Sequence, residues 1–151
     1  MGANLLRFIA GVRHDALGTS TRLPAWRLEG LPKTSAKSRG PARGFEPRSA
    51  AGLYQARTIF DCVAYGGYSF ETDQALIYRT NFNFASRLLV RLQDRDIAMY
   101  VHAGSSSEYG DNASGPKEDS FTSPNSHYAV SKVTAANLLY YYGEKSWAFP
   151  A

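Results

Sequence analysis

The stretch Tyr128-Ala-Val-Ser-Lys132, read with the preceding run Met99-Tyr-Val-His-Ala-Gly-Ser-Ser-Ser-Glu-Tyr-Gly110, decides the fold. The earlier run begins as an apolar strand and ends in small polar residues. Active sites of open α/β sheets lie at such strand ends. A helix stacks residues i and i+4 on one face, so Tyr128 and Lys132 would present a phenol and an ammonium to one pocket. A nearby ammonium favours the charged form of a phenol, which allows a Tyr to act as a base. A hydroxyl from Ser105 or Ser106 could polarise a carbonyl or alcohol beside it. Together they form a Ser-Tyr-Lys set suited to moving a proton and a hydride at a carbinol carbon.

Working outward, the apolar spacing alternates between helix and strand. Ala3 to Gly11 has apolar residues at helical spacing, and Asp15 to Ser20 reads as a short strand, Ala-Leu-Gly-Thr-Ser. Thr58 to Ala64 reads as a second strand. Asp73 to Gln93 carries Leu76, Ile77, Phe82, Phe84, Leu88, Leu89 and Leu92, a long helix with one wide apolar face. Ile97 to Ala103 is the next strand. Ser123 to Ser126 offers capping residues for a last helix from about Tyr128 to Tyr142. This order predicts an α/β fold of βαβ units around a parallel sheet.

Leu31 to Gly52 departs from the pattern. It is rich in Pro, Gly, Ser, Lys and Arg, and Phe45 is almost its only large apolar residue. Such a segment buries too little surface to offset its ordering entropy. Residues 31–56 are therefore expected to be a basic low-complexity loop or a disordered insert. The net charge of +4 is unevenly placed. Residues 1–60 hold 10 Lys/Arg against 3 Asp/Glu, and residues 61–151 hold 7 against 10. A basic half can bind nucleic acid. Here the basic residues sit in the low-complexity segment without interleaved aromatics, and no nucleic-acid partner is expected.

Apolar content of 44% and charged content of 20% are ordinary for a globular protein. Cys62 is the one cysteine, which excludes an internal disulfide and a cysteine-based zinc site. Its apolar neighbours suggest a core thiol. His14, His102 and His127 have no metal-ligand spacing, and no metal is expected. No apolar run approaches ~18 residues, so no membrane span is expected and a cytoplasmic location is the default.

The segment from Arg57 to Lys145 resembles the extended short-chain dehydrogenase/reductase family, the nucleotide-sugar epimerases and dehydratases. The resemblance rests on Ser105 to Gly110, Glu118-Asp119, Pro124 and Tyr128 to Lys132, in that order. Phe60-Asp-Cys-Val-Ala-Tyr-Gly-Gly67 resembles the family's fourth strand and the turn beneath the cofactor, which makes Ala64, Tyr65 and Gly66 candidate cofactor contacts. Asn81 falls where the family has an Asn that begins a structural helix.

The resemblance implies that Tyr128 is the catalytic base, and that Lys132 favours its phenolate and holds the nicotinamide ribose. Ser105, four residues before Tyr109, takes the place of the catalytic Ser or Thr, with Ser106 as the neighbour that could replace it. A sugar C4 alcohol would lose its proton to Tyr128 as hydride leaves for the nicotinamide. An epimerase would return the hydride to the other face. Dehydratases of the family place an acid/base pair just after the Ser/Thr. Here Ser106 and Ser107 stand there, with Glu108 next, which favours epimerase or reductase chemistry.

Gly18-Thr-Ser-Thr-Arg22 ends in a base rather than an acid, as in NADP-using members, so Arg22 is a candidate cofactor contact and the cofactor is NAD or NADP. In the family a Gly-x-x-Gly-x-x-Gly turn holds the pyrophosphate. Gly2 resembles its last glycine. The expectation is one partial domain over residues 1–151. Its sheet would be an incomplete Rossmann-like, doubly wound parallel sheet lacking its first strand and the C-terminal substrate part. As a truncated member, it would hold cofactor poorly by itself and turn over weakly. The implied partners are a nucleotide-sugar substrate and a second copy of the chain. The other readings are a catalytically inactive fold fragment that at most binds a partner, and a basic nucleic-acid-binding protein.

Overall fold

A computed structural model describes residues 2–13, 15–16, 18–20, 37–39, 56–112 and 114–146. It divides into two compact units, residues 1–59 and residues 60–151. The first unit holds helix α1 (Gly2–Val12) and strands β1 (Gly18–Ser20) and β2 (Lys37–Arg39). Leu5, Leu6, Ile9 and Ala10 lie toward the inner side of α1, while Phe8 and Val12 are exposed. Gly18 starts β1 where a Cβ would overlap the Leu6 side chain, so helix and strand approach as closely as a glycine allows.

β1 pairs in parallel with β2, Gly18 opposite Lys37 and Ser20 opposite Arg39. The strand expected at Asp15 to Ser20 is present over Gly18–Ser20 as β1. Of the 31–56 segment, Lys37–Arg39 is described as β2. A three-residue polar strand has no apolar alternation, and backbone pairing with β1 alone defines it. The rest of that segment, and Arg22, lie outside the described residues.

β3 (Thr58–Asp61) leads into the second unit and is hydrogen-bonded to β4 (Met99–His102) in a second two-stranded sheet. The Ala103 N–H extends the pairing to the Asp61 carbonyl at 2.9 Å. Side chains alternate across a strand. In β3, Ile59 and Asp61 are buried while Thr58 and Phe60 are exposed. In β4, Tyr100 and His102 lie inward while Met99 and Val101 are exposed.

The connection between these strands is helical from Gln74 to Leu92. Asp73 caps it, its carboxylate accepting from the Leu76 N–H at 3.0 Å. The run is α2 (Gln74–Tyr78), a π turn (Arg79–Asn83) and α3 (Phe84–Leu92). Ile77, Asn81, Ala85, Leu88, Leu89 and Leu92 are buried along one stripe. The single polar member of that stripe sits in the π turn. Helix α4 (His127–Tyr141) starts at Ser126, whose hydroxyl accepts from the Ala129 N–H at 3.2 Å. Its buried side chains are Ala129, Ser131, Lys132 and Ala135, three of them small enough for close packing on α2 and the π turn. No helix among the described residues is long and apolar enough to cross a membrane.

Asn81 joins these elements. It is 1% exposed. Its Oδ1 accepts from the Tyr65 N–H at 2.8 Å, and its Nδ2 donates to the Tyr65 carbonyl and to Ser131 Oγ, each at 2.8 Å. The amide thus satisfies both backbone groups of Tyr65 and ties that loop to α4. Asn81→Ala would orphan two backbone groups and the Ser131 hydroxyl contact. The expected loss is about 3 kcal/mol of folding stability, since each unsatisfied buried group costs about 1–3 kcal/mol. Urea unfolding of the variant measures it, and a loss under about 1 kcal/mol would contradict that role.

Candidate active site

Lys132 is the most deeply buried cation among the described residues, at 1% exposure. It points to the end of β4 rather than to solvent. Its Nζ donates to the Ala103 carbonyl at 2.6 Å and lies 2.9 Å from His102 Nε2. Burial pushes its pKa down, opposed by the charges of Asp61 and Glu108 and by Cys62. A buried ammonium persists only where acceptors replace its water shell, and the end of β4 supplies them.

Tyr128 stands one helical turn earlier on α4. Its ring lies against the glycine pair that follows β3. A Cβ at Gly66 would be 3.5 Å from Tyr128 Cδ2, and one at Gly67 would be 3.8 Å from the Tyr128 hydroxyl oxygen. Gly66 has φ +95°, and a side chain there would also run into Ile77 at 2.6 Å. The loop is held from below by Glu71, whose Oε2 accepts from the Gly66 N–H at 2.9 Å and the Tyr68 N–H at 3.3 Å. Ser131 locks the helix beneath Tyr128 by donating to the Tyr128 carbonyl at 2.7 Å. Among the described residues the Tyr128 hydroxyl has no hydrogen-bond partner.

Ser105 follows Ala103 and Gly104 at the end of β4. Its N–H donates to Glu108 Oε1 at 2.7 Å, and its Oγ accepts from the Ser107 N–H at 3.3 Å. Ser106 opens the short 3-10 segment Ser106–Asn112 and is exposed. That segment packs on α4. Glu108 therefore folds back on the strand end, where it fixes the Ser105 backbone.

The structure brings Asn81 onto Tyr65 and the Tyr128 ring onto Gly66, while Lys132 reaches the end of β4, with Ser105 two residues beyond the carbonyl that binds Lys132. Ala64 is exposed on the same loop. Gly2 lies in α1 of the other unit. Cys62 is half-buried rather than a core thiol. His127 is exposed at the start of α4, its Nδ1 3.0 Å from the Tyr78 hydroxyl. Sequence reasoning missed His102. His102 Nδ1 faces Asp61 Oδ2 at 3.1 Å, and Tyr100 donates to the same oxygen at 2.8 Å. Burial raises the Asp61 carboxyl, but hydrogen bonds from His102, the Val63 N–H and Tyr100 outweigh it and leave the pKa lowered. Burial and the Asp61 charge push the Tyr100 phenol well up.

Residues 45–151 match the family model described as NAD dependent epimerase/dehydratase family. The chain belongs to that family. Solved structures share the fold of this NAD dependent epimerase/dehydratase family chain. UDP-glucuronic acid 4-epimerase from Bacillus cereus, solved with NAD, superposes with a TM-score of 0.78 at 18% identity, over 96% of this chain and 50% of that one. MoeE5 in complex with UDP-glucuronic acid and NAD gives 0.73 at 24% identity, over 96% and 47%. RMD from Pseudomonas aeruginosa complexed with NADPH gives 0.58 at 24% identity, over 86% and 49%. These likenesses establish the Rossmann-like fold, and the chain spans about half the length of the structures it matches. No curated protein matches the chain significantly.

Proposed function

We propose that this chain carries the Ser-Tyr-Lys site of an NAD(P)-dependent epimerase or reductase acting on a nucleotide sugar. The observation that carries it is the placement of Lys132 and Tyr128. One side chain is anchored at the end of β4, and the other leaves a free hydroxyl beside two glycines. The missing side chains of Gly66 and Gly67 leave room next to the Tyr128 ring that a Cβ would take. That opening and the buried ammonium fit a nicotinamide ribose. Tyr128, Lys132, Gly66 and Tyr65 are the residues that would hold it.

When bound, the nicotinamide supplies hydride transfer. The chain's own residues handle the proton. Tyr128 takes it from the sugar hydroxyl at its phenolic oxygen. Lys132 keeps positive charge near that oxygen. Ser105 orients the same hydroxyl, supported by its rigid backbone contact with Glu108, with Ser106 as the more exposed neighbour. Ser106 and Ser107 stand where dehydratases of the family place their acid/base pair, which favours epimerase or reductase chemistry over dehydration. The comparison structures bound to UDP-glucuronic acid support a nucleotide-sugar substrate. The same reading takes the protein as a cytoplasmic isomerase or oxidoreductase that pairs with a second copy and has no nucleic-acid partner.

The test is incubation with NAD or NADP and a panel of UDP-, GDP- and dTDP-sugars, followed by proton NMR of the sugar. Conversion at C4, or reduced cofactor with a 4-keto sugar, supports the reading. A dehydrated 4-keto-6-deoxy product would overturn the choice against dehydration.

A further inference from the structure

Two buried ionisable side chains take no part in that proton transfer. Asp61 ends β3 and His102 ends β4, and their side chains are 2% and 7% exposed. They line up behind Lys132. From Asp61 Oδ2 to His102 Nδ1 is 3.1 Å, and from His102 Nε2 to Lys132 Nζ is 2.9 Å. The other Asp61 oxygen accepts from the Val63 N–H at 3.0 Å, so the carboxylate is fixed in place.

Counting protons gives this line a direction. An ammonium only donates. With Lys132 charged, His102 Nε2 must accept, and the ring proton must sit on Nδ1 facing Asp61. Every donor then meets an acceptor from Lys132 through His102 to Asp61. Lys132 has three N–H bonds. Ala103 takes one and His102 a second, which leaves a third. A second arrangement has the same net charge. A Lys132 N–H bond breaks, an Nε2–H bond forms, and the resulting imidazolium stays beside the Asp61 carboxylate.

We propose that Asp61 and His102 are positioning residues that act through Lys132, clamping its amine with one N–H left for the pocket and deciding, by exchange of that one proton, whether the amine is charged. The proposal rests on the reading that Lys132 serves the Tyr128 pocket. The groups acting on Lys132 are Asp61 at the end of β3, Cys62 just after it, His102 from β4 and Glu108 from the 3-10 segment, with Tyr128 one turn earlier on its own helix. Burial favours the neutral amine, and the anionic members favour the charged one. The dyad is the member of this set that touches Nζ through a group able to take its proton.

The experiment needs neither cofactor nor turnover, so its failure is distinct from failure of the functional reading. The full chain is labelled with ¹⁵N-histidine and ¹³C-lysine and titrated by NMR. His102 is expected in the Nδ1–H tautomer with Nε2 unprotonated at neutral pH. Asp61→Asn is expected to shift the Lys132 Cε titration midpoint down by about one pH unit, because it removes an opposite charge. Lys117 should not move. His102→Gln, which keeps a donor and an acceptor, should retain the midpoint better than His102→Leu. A neutral His102 ring with its one proton on Nε2 and none on Nδ1, or a ring averaging between tautomers like a solvent histidine, would overturn the proposal even if no variant folds. So would an Asp61→Asn chain that is less stable but has an unchanged Lys132 midpoint.

Discussion

Tyr128→Phe is expected to lower kcat by at least ~100-fold, the usual contribution of a positioned acid or base. It should leave the fold and cofactor affinity unchanged. The ring lies nearest the Gly66 and Gly67 positions, with the hydroxyl oxygen also near Gly67, and Phe keeps the ring in place. The Ser131 and Asn81 bonds beneath it involve backbone and other side chains, so they persist. The assay can use the 151-residue chain. If its own turnover is too low to read, a fusion to the C-terminal half of a UDP-glucuronic acid 4-epimerase of known structure serves. Retention of more than a tenth of the parent kcat would remove Tyr128 from the base role. A parallel fall in cofactor affinity would point to a packing defect instead.

Tyr128 and Lys132 were open to the sequence because they sit at a regular offset. They share a helix face by spacing alone, and the structure supports Lys132 from the strand end that the apolar run at Met99 to Ala103 announces. The helix Gln74–Leu92 was legible for the same reason. Its π turn was not. Buried positions at Ile77, Asn81, Ala85 and Leu88 are spaced as in an ordinary α-helix, so the extra residue leaves no mark on the pattern. Asn81 was recognised by resemblance, while its bonds to Tyr65 and Ser131 depend on tertiary placement.

His102 shows a different kind of loss. Searching the histidines for metal spacing finds nothing, because their partners are not one another. The usable signal was strand alternation. It puts Tyr100 and His102 on one face of β4 and Asp61 on the buried face of β3, so two titratable residues end neighbouring strands on the same side. The pairing of β1 with β2 had no such signal, since Lys37-Ser-Arg39 carries no apolar residue. Backbone hydrogen bonding without side-chain pattern is invisible to a reading that depends on periodicity.

Gly110→Ala is expected to cost about 4 kcal/mol of folding stability, from a strained backbone and a collision acting together. Gly110 has φ +56° and ψ −123°, a conformation in which a Cβ is strained. Backbone in so sparsely populated a region costs a non-glycine residue roughly 1–3 kcal/mol. The greater part of the loss is steric. A Cβ at Gly110 would collide with the Ser123 carbonyl oxygen and approach its carbon, and these are backbone atoms with no rotamer to change. Overpacking of that kind costs roughly 1–3 kcal/mol. Relief would require Ser123 to Asn125 to move, and Asn125 is itself held by Asp111 at 2.8 Å. That segment delivers the Ser126 cap to α4, so the displacement would reach Tyr128 and Lys132 through the helix start. Gly115 is the control. It also has positive φ, +78°, but nothing lies within 4 Å of its Cβ position. Gly115→Ala should lose only about 1 kcal/mol. Thermal and urea unfolding of the two variants separates the backbone strain from the collision, and equal losses at the two positions would show that the contact with Ser123 carries no weight.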